Sequence, residues 1–248
     1  MSLSKAKIKY IQSLKDKKAR NEEGVFIAEG YKLVTDLILS CRCKFIAAVP
    51  ETAKKIHADC EIIEAAEDEL CKATFLKTAP DVIGIFYQPD SQPHNETIEQ
   101  NLSIVLDGIQ DPGNLGTIIR IADWFGIKNI ICSLDTADVF NPKVIQATMG
   151  AVARVNVAYA DISEFLSLHH NLPIYGTFLD GDNIYNKPLS NKGIIVMGNE
   201  GQGIRPEIEK LVSERLFIPN FPAGSETSES LNVAVATAIT CSEFRRRV

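Results

Sequence analysis

The chain has 248 residues, 45% of them hydrophobic, and a formal net charge of −6. That length supports one large domain or two modest ones, and a mean hydropathy near zero describes an ordinary globular composition. No run approaches 18 uncharged apolar residues, which argues against a membrane span. A sequence pI near 5.3 argues against a protein that coats nucleic acid indiscriminately.

In chain order, a basic helix is expected over residues 4–19. Lys5, Lys7, Lys9, Lys15, Lys17, Lys18 and Arg20 face the single acid Asp16 there, as a solvated helix face or a phosphate-contacting arm. The Met1–Lys9 segment lacks the apolar core of a secretory signal, so a cytoplasmic location is expected. Strands near 24–29, 45–49, 61–64 and 82–87 alternate with helices near 31–40, 51–57 and 66–73, the pattern of a small α/β domain. The polar stretch Gln88–Asn101, with two prolines and no apolar periodicity, reads as a linker. It divides the chain into domains at 1–95 and 96–248.

Beyond it the strands are more apolar, at 103–106, 129–132, 155–158, 174–179, 194–197 and 216–218. Near-continuous Ile/Val runs suit a mostly parallel sheet with helices on both faces. The intervening helices are expected at 117–125, 142–151, 162–169 and 206–213, with a long last one from 231 to 246. Six scattered cysteines without a Cys-x-x-Cys pair imply reduced thiols and no metal site.

Three polar motifs stand out against this apolar background. Asn114-Leu-Gly116-Thr-Ile-Ile-Arg120 opens a helix that looks buried on most sides. There Asn114 could cap the helix, and a guanidinium at Arg120 needs a partner or a site. Met197-Gly198-Asn199-Glu200-Gly201-Gln-Gly203 follows a buried strand at its carboxyl end, where open α/β sheets bind ligands. Its glycine spacing is not that of a dinucleotide fingerprint, and no P-loop lysine exists. Glu229-Ser230-Leu231-Asn232-Val233-Ala234 starts the last helix. Ser230 suits the N-cap, and a helix start favours a phosphate.

Together the three motifs resemble, in order and spacing, the signature motifs of the SpoU (TrmH-type) RNA 2′-O-methyltransferases, over residues 100–245. The resemblance implies that Asn114, Arg120, Glu200, Ser230 and Asn232 surround the acceptor ribose. It implies S-adenosyl-L-methionine as cofactor, held by Thr177, Phe178, Leu179, Gly198, Asn199, Gly201, Ile218, Pro219 and Leu231. It also implies a trefoil knot at the cofactor end of the chain and a homodimer. One departure is a longer loop between Pro219 and Ser230.

The N-terminal part, with Arg20-Asn-Glu-Glu-Gly-Val-Phe-Ile-Ala-Glu-Gly30, resembles the substrate-binding domain of rRNA-modifying members. Large-subunit rRNA is therefore favoured over tRNA, with Lys5, Lys7, Lys9, Lys17, Lys18 and Arg20 as phosphate contacts. A non-catalytic RNA-binding assembly factor is the alternative outside the enzymes.

Overall fold

The structure is a computed structural model that describes residues 2–222, 225 and 228–246. It divides into two compact units, residues 1–90 with 138–154, and residues 91–137 with 155–248.

In the first unit, α1 (Lys5–Ser13) and α2 (Lys17–Glu23) replace the single basic helix expected at 4–19. The break falls at Leu14–Asp16, where buried Leu14 turns the chain. Four strands follow, β1 (Val25–Glu29), β2 (Cys43–Ala48), β3 (Glu61–Glu64) and β4 (Val82–Tyr87), interleaved with α3 (Tyr31–Ile38), α4 (Pro50–Ala53) and α5 (Glu67–Ala73). The sheet order is β1-β4-β2-β3, with β4 antiparallel to both neighbours and β2 parallel to β3. Leu3, Ile11 and Leu14 pack with Leu70 and Ala73 on one face. Phe26, Phe86, Leu33 and Leu37 fill the other.

The segment 138–154, expected in the second domain, belongs to this unit. Its helix α8 (Pro142–Thr148) lays Ile145 against Phe26, and Phe140 stacks on the Phe26 ring at 5.2 Å. Burial of these apolar groups on β1 outweighs sequence proximity to the second sheet.

The second unit starts in the expected linker, six residues of which form a helix. Helix α6 (Asn95–Gln100) buries Ile98 against Val105 and Val196. Six strands follow: β5 (Leu102–Asp107), β6 (Asn129–Cys132), β7 (Asn156–Tyr159), β8 (Ile174–Asn183), β9 (Gly193–Gly198) and β10 (Glu214–Phe217). Their order is β10-β8-β9-β5-β6-β7, and every pairing is parallel. β5 is buried at all six positions, as a strand covered on both faces must be. Helices α6, α9 (Ile162–Leu168) and α10 (Pro206–Glu209) cover one face through Ile98, Phe165 and Ile208. The other carries α7 (Pro112–Trp124) and α11 (Val233–Arg246), with Phe244 edge-on to Tyr175.

Strand order reverses between β5 and β9. The chain leaves β5 toward β6 and β7, and leaves β9 toward β10 on the other side. Such a switch point opens a crevice at the carboxyl ends of the two strands.

Candidate functional site

The crevice is built from the two strand ends. β5 terminates in Asp107-Gly108 and β9 in Gly198-Asn199. The Asn199 side-chain amide donates to the Gly108 carbonyl at 2.7 Å, tying one strand end to the other. Asn199 Oδ1 accepts from the N–H groups of Gly201 and Gln202, and its backbone exchanges hydrogen bonds with Gly203 at 3.0 and 2.9 Å. The result is a tight loop that only glycine allows at Gly198, since a Cβ there would lie 2.3 Å from backbone atoms of Gly203 and Ile204.

Asp107 locks this loop from below. It is buried, and it accepts from Arg205 N at 2.8 Å and Arg205 Nε at 2.6 Å. The hydrogen bond to Asp107 holds the Arg205 guanidinium above its ordinary pKa. Asp135 is held below the usual carboxylate range by Ser133 first, with a smaller contribution from Arg205 at 3.7 Å. The Asp107–Arg205 pair was not singled out in the sequence. Its signal is an acid ending a fully buried strand that is otherwise apolar but for Ser103.

Two helices aim their N-termini at this loop. α7 starts at Pro112 rather than near Thr117, because Asp111 supplies the N-cap, accepting from Asn114 N at 2.8 Å, and proline suits the first helical position. Asn114 is therefore freed from capping. α11 starts at Val233, and its cap is Asn232 rather than Ser230. The Asn232 Oδ1 accepts from Ala234 N and Val235 N at 3.0 and 3.3 Å. An asparagine, a poor helix former inside a first turn, is well placed at this cap. The helices run parallel: Asn232 meets Asn114 at their starts, and Arg245 Nε donates to the Phe125 carbonyl at their ends. Both positive dipole ends converge on one place, which favours an anion.

The three motifs meet there in one hydrogen-bond chain. Asn232 Nδ2 donates to Asn114 Oδ1 at 3.0 Å, and Asn114 Nδ2 donates to Glu200 Oε1 at 2.5 Å. This leaves the second oxygen of the exposed Glu200 carboxylate without a hydrogen-bond partner among the described residues. Ser230 and Leu231 are exposed beside the helix start.

Arg120 is not part of this chain. Six residues beyond Asn114, it lies about 9 Å further along the helix axis. It is exposed and makes no hydrogen bond or ion pair among the described residues. Its helix is buried only through Leu115, Gly116, Ile118, Ile119 and Ala122, while Trp124 is 85% exposed.

The expected cofactor residues line the neighbouring strand ends. β8 pairs with β9 only through Ile174–Gly176. Its register with β10 jumps from Gly176 to Asp182, so 177–181 pair with neither neighbour. The backbone of Thr177, Phe178 and Leu179 is thereby left outside the ladder, and Leu179 is exposed. Gly201 has open space around it, with only Asn199 Oδ1 within reach of a Cβ. Ile218 and Pro219 leave β10 half-buried. Unladdered backbone beside bare glycine loops fits a flat, hydrogen-bonding ligand such as an adenosine moiety. Residues 223, 224, 226 and 227 of the long loop after Pro219 lie outside the described residues.

Of the expected phosphate contacts, Lys5, Lys9, Lys17 and Lys18 are exposed. Lys7 pairs with Glu61 at 2.6 Å. Arg20 is no RNA contact: it is buried, donating to the Leu14 and Lys15 carbonyls at 2.8 Å each and to Asp138 at 2.5 Å. The helix break at Leu14–Asp16 turns Arg20 inward, off the face the lysines occupy.

Comparison with known proteins gives the family. Residues 101–242, more than half of the chain, match the SpoU rRNA Methylase family, and residues 5–84 match the MRM3-like substrate binding domain. The chain is 29% identical to the 23S rRNA (guanosine(2553)-2′-O)-methyltransferase RlmP of Bacillus subtilis, covering 96% of this chain and 95% of that one. It is similar to the AdoMet-bound rRNA methyltransferase of Sinorhizobium meliloti, with a TM-score of 0.87, 31% identity and coverage of 100% and 97%. A TrmH-family chain from Porphyromonas gingivalis superposes with a TM-score of 0.90 at 39% identity, over 99% of each. With its three motifs joined at one crevice and more than half its length matched, the chain belongs to the SpoU rRNA methylase family.

Proposed function

We propose that the protein transfers a methyl group from S-adenosylmethionine to a ribose 2′-hydroxyl of large-subunit rRNA. The observation that carries this reading is the Asn232–Asn114–Glu200 chain, which joins all three motifs where two helix N-termini converge. The relatives named as 23S rRNA 2′-O-methyltransferases support the substrate. The match to a substrate-binding domain at residues 5–84 supports it as well.

When bound, the cofactor supplies an activated methyl on a sulfonium, so the chain's residues have to align the acceptor and manage one proton. Thr177–Leu179, Gly198–Gly201, Ile218, Pro219 and Leu231 would hold it. Alignment of two reactants is worth up to about 7–11 kcal/mol, the largest effect open to the protein here. The helix N-termini attract the phosphate next to the acceptor ribose. Asn114, fixed between two partners, and the free Glu200 oxygen orient the 2′-hydroxyl. Arg120, unpaired among the described residues, stabilises the developing alkoxide and clamps the adjacent phosphate bidentately. A phosphate oxygen or water takes the proton, because a guanidinium cannot serve as base near neutral pH.

The same reading includes a homodimer, a knotted cofactor segment and a cytoplasmic location. Exposed Trp124 on α7 and half-exposed Val235 on α11, helices that pack on each other, support the dimer. The test incubates rRNA and tRNA from cells lacking this gene with deuteromethyl-labelled cofactor, followed by nucleoside mass spectrometry. Label in a 2′-O-methylnucleoside of rRNA is the expected result. Label confined to tRNA overturns the substrate, and absence of label in both favours a non-catalytic RNA-binding factor.

A further inference from the structure

Four cation–aromatic contacts occur among the described residues, and three of their cations are already neutralised. Lys7 over Phe45 also binds Glu61, Lys44 over Tyr10 also binds Glu23, and Arg215 over Phe178 also binds Asp180 and Glu209. Arg42 is the exception. Its guanidinium lies 3.9 Å from the centroid of the Tyr87 ring. It makes no side-chain hydrogen bond or ion pair among the described residues.

This pair lines a groove of about 430 Å³ in the first unit, with Gly24, Ser40, Cys41, Gln88 and Pro89. The volume falls within the roughly 300–1,000 Å³ of small-ligand sites. No carboxylate lines it, so the charge of Arg42 stands uncompensated in the groove.

The groove is also rigid. Tyr87 N donates to the Arg42 carbonyl at 2.9 Å, which ties the two platform residues together. Gln88 Nε2 donates to the carbonyls of Arg20 and Val25, which fixes the amide and leaves its Oε1 as a spare acceptor. Gly24 closes α2 at φ +60°, and no atom lies within 4 Å of where a Cβ would stand.

A flat cation on an aromatic ring, an uncompensated charge and a fixed acceptor are what an unpaired nucleotide requires. The base stacks on the platform, an amino or imino group meets the acceptor, and the phosphate meets the guanidinium edge. Paired bases present no free face, so a duplex gains only the charge. Resting on the proposed RNA substrate, we propose that the Arg42–Tyr87 groove captures one unpaired nucleotide of that RNA during docking. It is a substrate-positioning site in the N-terminal unit and takes no part in the chemistry.

The experiment measures anisotropy of the full-length protein with a fluorescein-labelled single-stranded RNA dodecamer and with the same strand in a fully paired RNA duplex. Arg42→Lys keeps the charge and removes the planar stack, and Arg42→Ala removes both. Arg42 is exposed, so neither change touches the core, and unchanged thermal melting confirms it. Arg42→Lys is expected to weaken single-strand binding about fivefold to a hundredfold and to leave duplex binding unchanged. In methyl transfer the same variant raises KM for RNA and leaves kcat in place.

Wild-type-like single-strand affinity in both variants overturns the inference. So does an Arg42→Lys protein that binds like wild type while Arg42→Ala loses single strand and duplex equally, which would assign the groove to backbone charge alone. Wild-type methyl transfer to rRNA, run alongside, separates failure of the groove from failure of the proposed reaction.

Discussion

Replacing Asp138 by Asn tests whether the 138–154 segment is a structural clamp on the first unit. Arg20 and Asp138 side chains are 2% and 12% exposed and meet at 2.5 Å. Asparagine keeps the cap on Phe140 N that Asp138 Oδ1 provides, so the change isolates the charge. Breaking a buried pair from one side costs about 3–5 kcal/mol, because the remaining charge stays buried without its partner. Here the Leu14 and Lys15 carbonyls still solvate the guanidinium, and the slight exposure of Asp138 admits water. The lower end, about 3 kcal/mol, is therefore expected, against a typical total of about 5–15 kcal/mol.

Trp124 lies in the second unit, so tryptophan fluorescence is the wrong probe for the first. Amide hydrogen exchange of β1 and β4 in urea, read by mass spectrometry, reports on the correct unit. The double change Arg20→Met with Asp138→Asn removes both charges, keeps the cap on Phe140 N and is expected to recover most of the loss. A loss under about 1 kcal/mol for Asp138→Asn, or a double variant as unstable as the sum of the singles, would refute the reasoning. A change in the salt dependence of RNA binding on Arg20→Met would restore Arg20 as a phosphate contact.

Three further outcomes follow from particular contacts. Gly198→Ala places a methyl 2.3 Å from the Gly203–Ile204 backbone and should abolish cofactor binding by calorimetry; retained affinity would mean that the loop is not the holder. Asn232→Asp keeps a good N-cap but cannot donate to Asn114, so melting should stay within about 0.5 kcal/mol of wild type and methyl transfer should fall at least tenfold. Parallel loss of stability and activity would make Asn232 structural only.

The third concerns pH. Burial pushes the Glu29 carboxyl up, against opposing hydrogen bonds from Thr74 and Phe75 N. With the folded pKa above the unfolded one, Glu29 favours folding most at low pH. That contribution is lost as pH rises from the ordinary carboxylate range, near about 4.3, through the folded value. Glu29→Gln keeps an acceptor and removes the charge, so at pH 7 it should be at least as stable as wild type, with the difference closing below about pH 4. A clearly less stable variant at pH 7 would contradict the assignment.

Most strands and helices were legible because their periodicity is strong. β3, β4 and β6 are found at the residues expected, and β1 and β9 within one residue at either end. The last helix is two residues shorter at its start because its cap is Asn232, one turn feature that propensity alone misplaces. Segment 138–154 was illegible because its partners, Phe26 and Asp138's Arg20, are more than a hundred residues away in sequence. Charge counting placed Arg20 with the surface lysines, whereas the turn at Leu14–Asp16 sends it inward to a carboxylate that no local pattern could supply.

The candidate site was legible as three motifs, but its wiring was not. Sequence spacing cannot show that Asn114 is relieved of capping by Asp111, or that Asp107 and Arg205 brace the glycine loop. It also led to the expectation of a mostly buried helix around Arg120, because the apolar run Ile118, Ile119, Ile121 and Ala122 hides an exposed strip at Thr117, Arg120 and Trp124.

The measurement that tests the central claim most directly is methyl transfer from tritiated S-adenosylmethionine to rRNA, digested to nucleosides. The account predicts label in a single 2′-O-methylnucleoside, lost when the Asn114→Ala protein replaces wild type. Label in a base-methylated nucleoside, or unchanged 2′-O-methylation by Asn114→Ala, would contradict it.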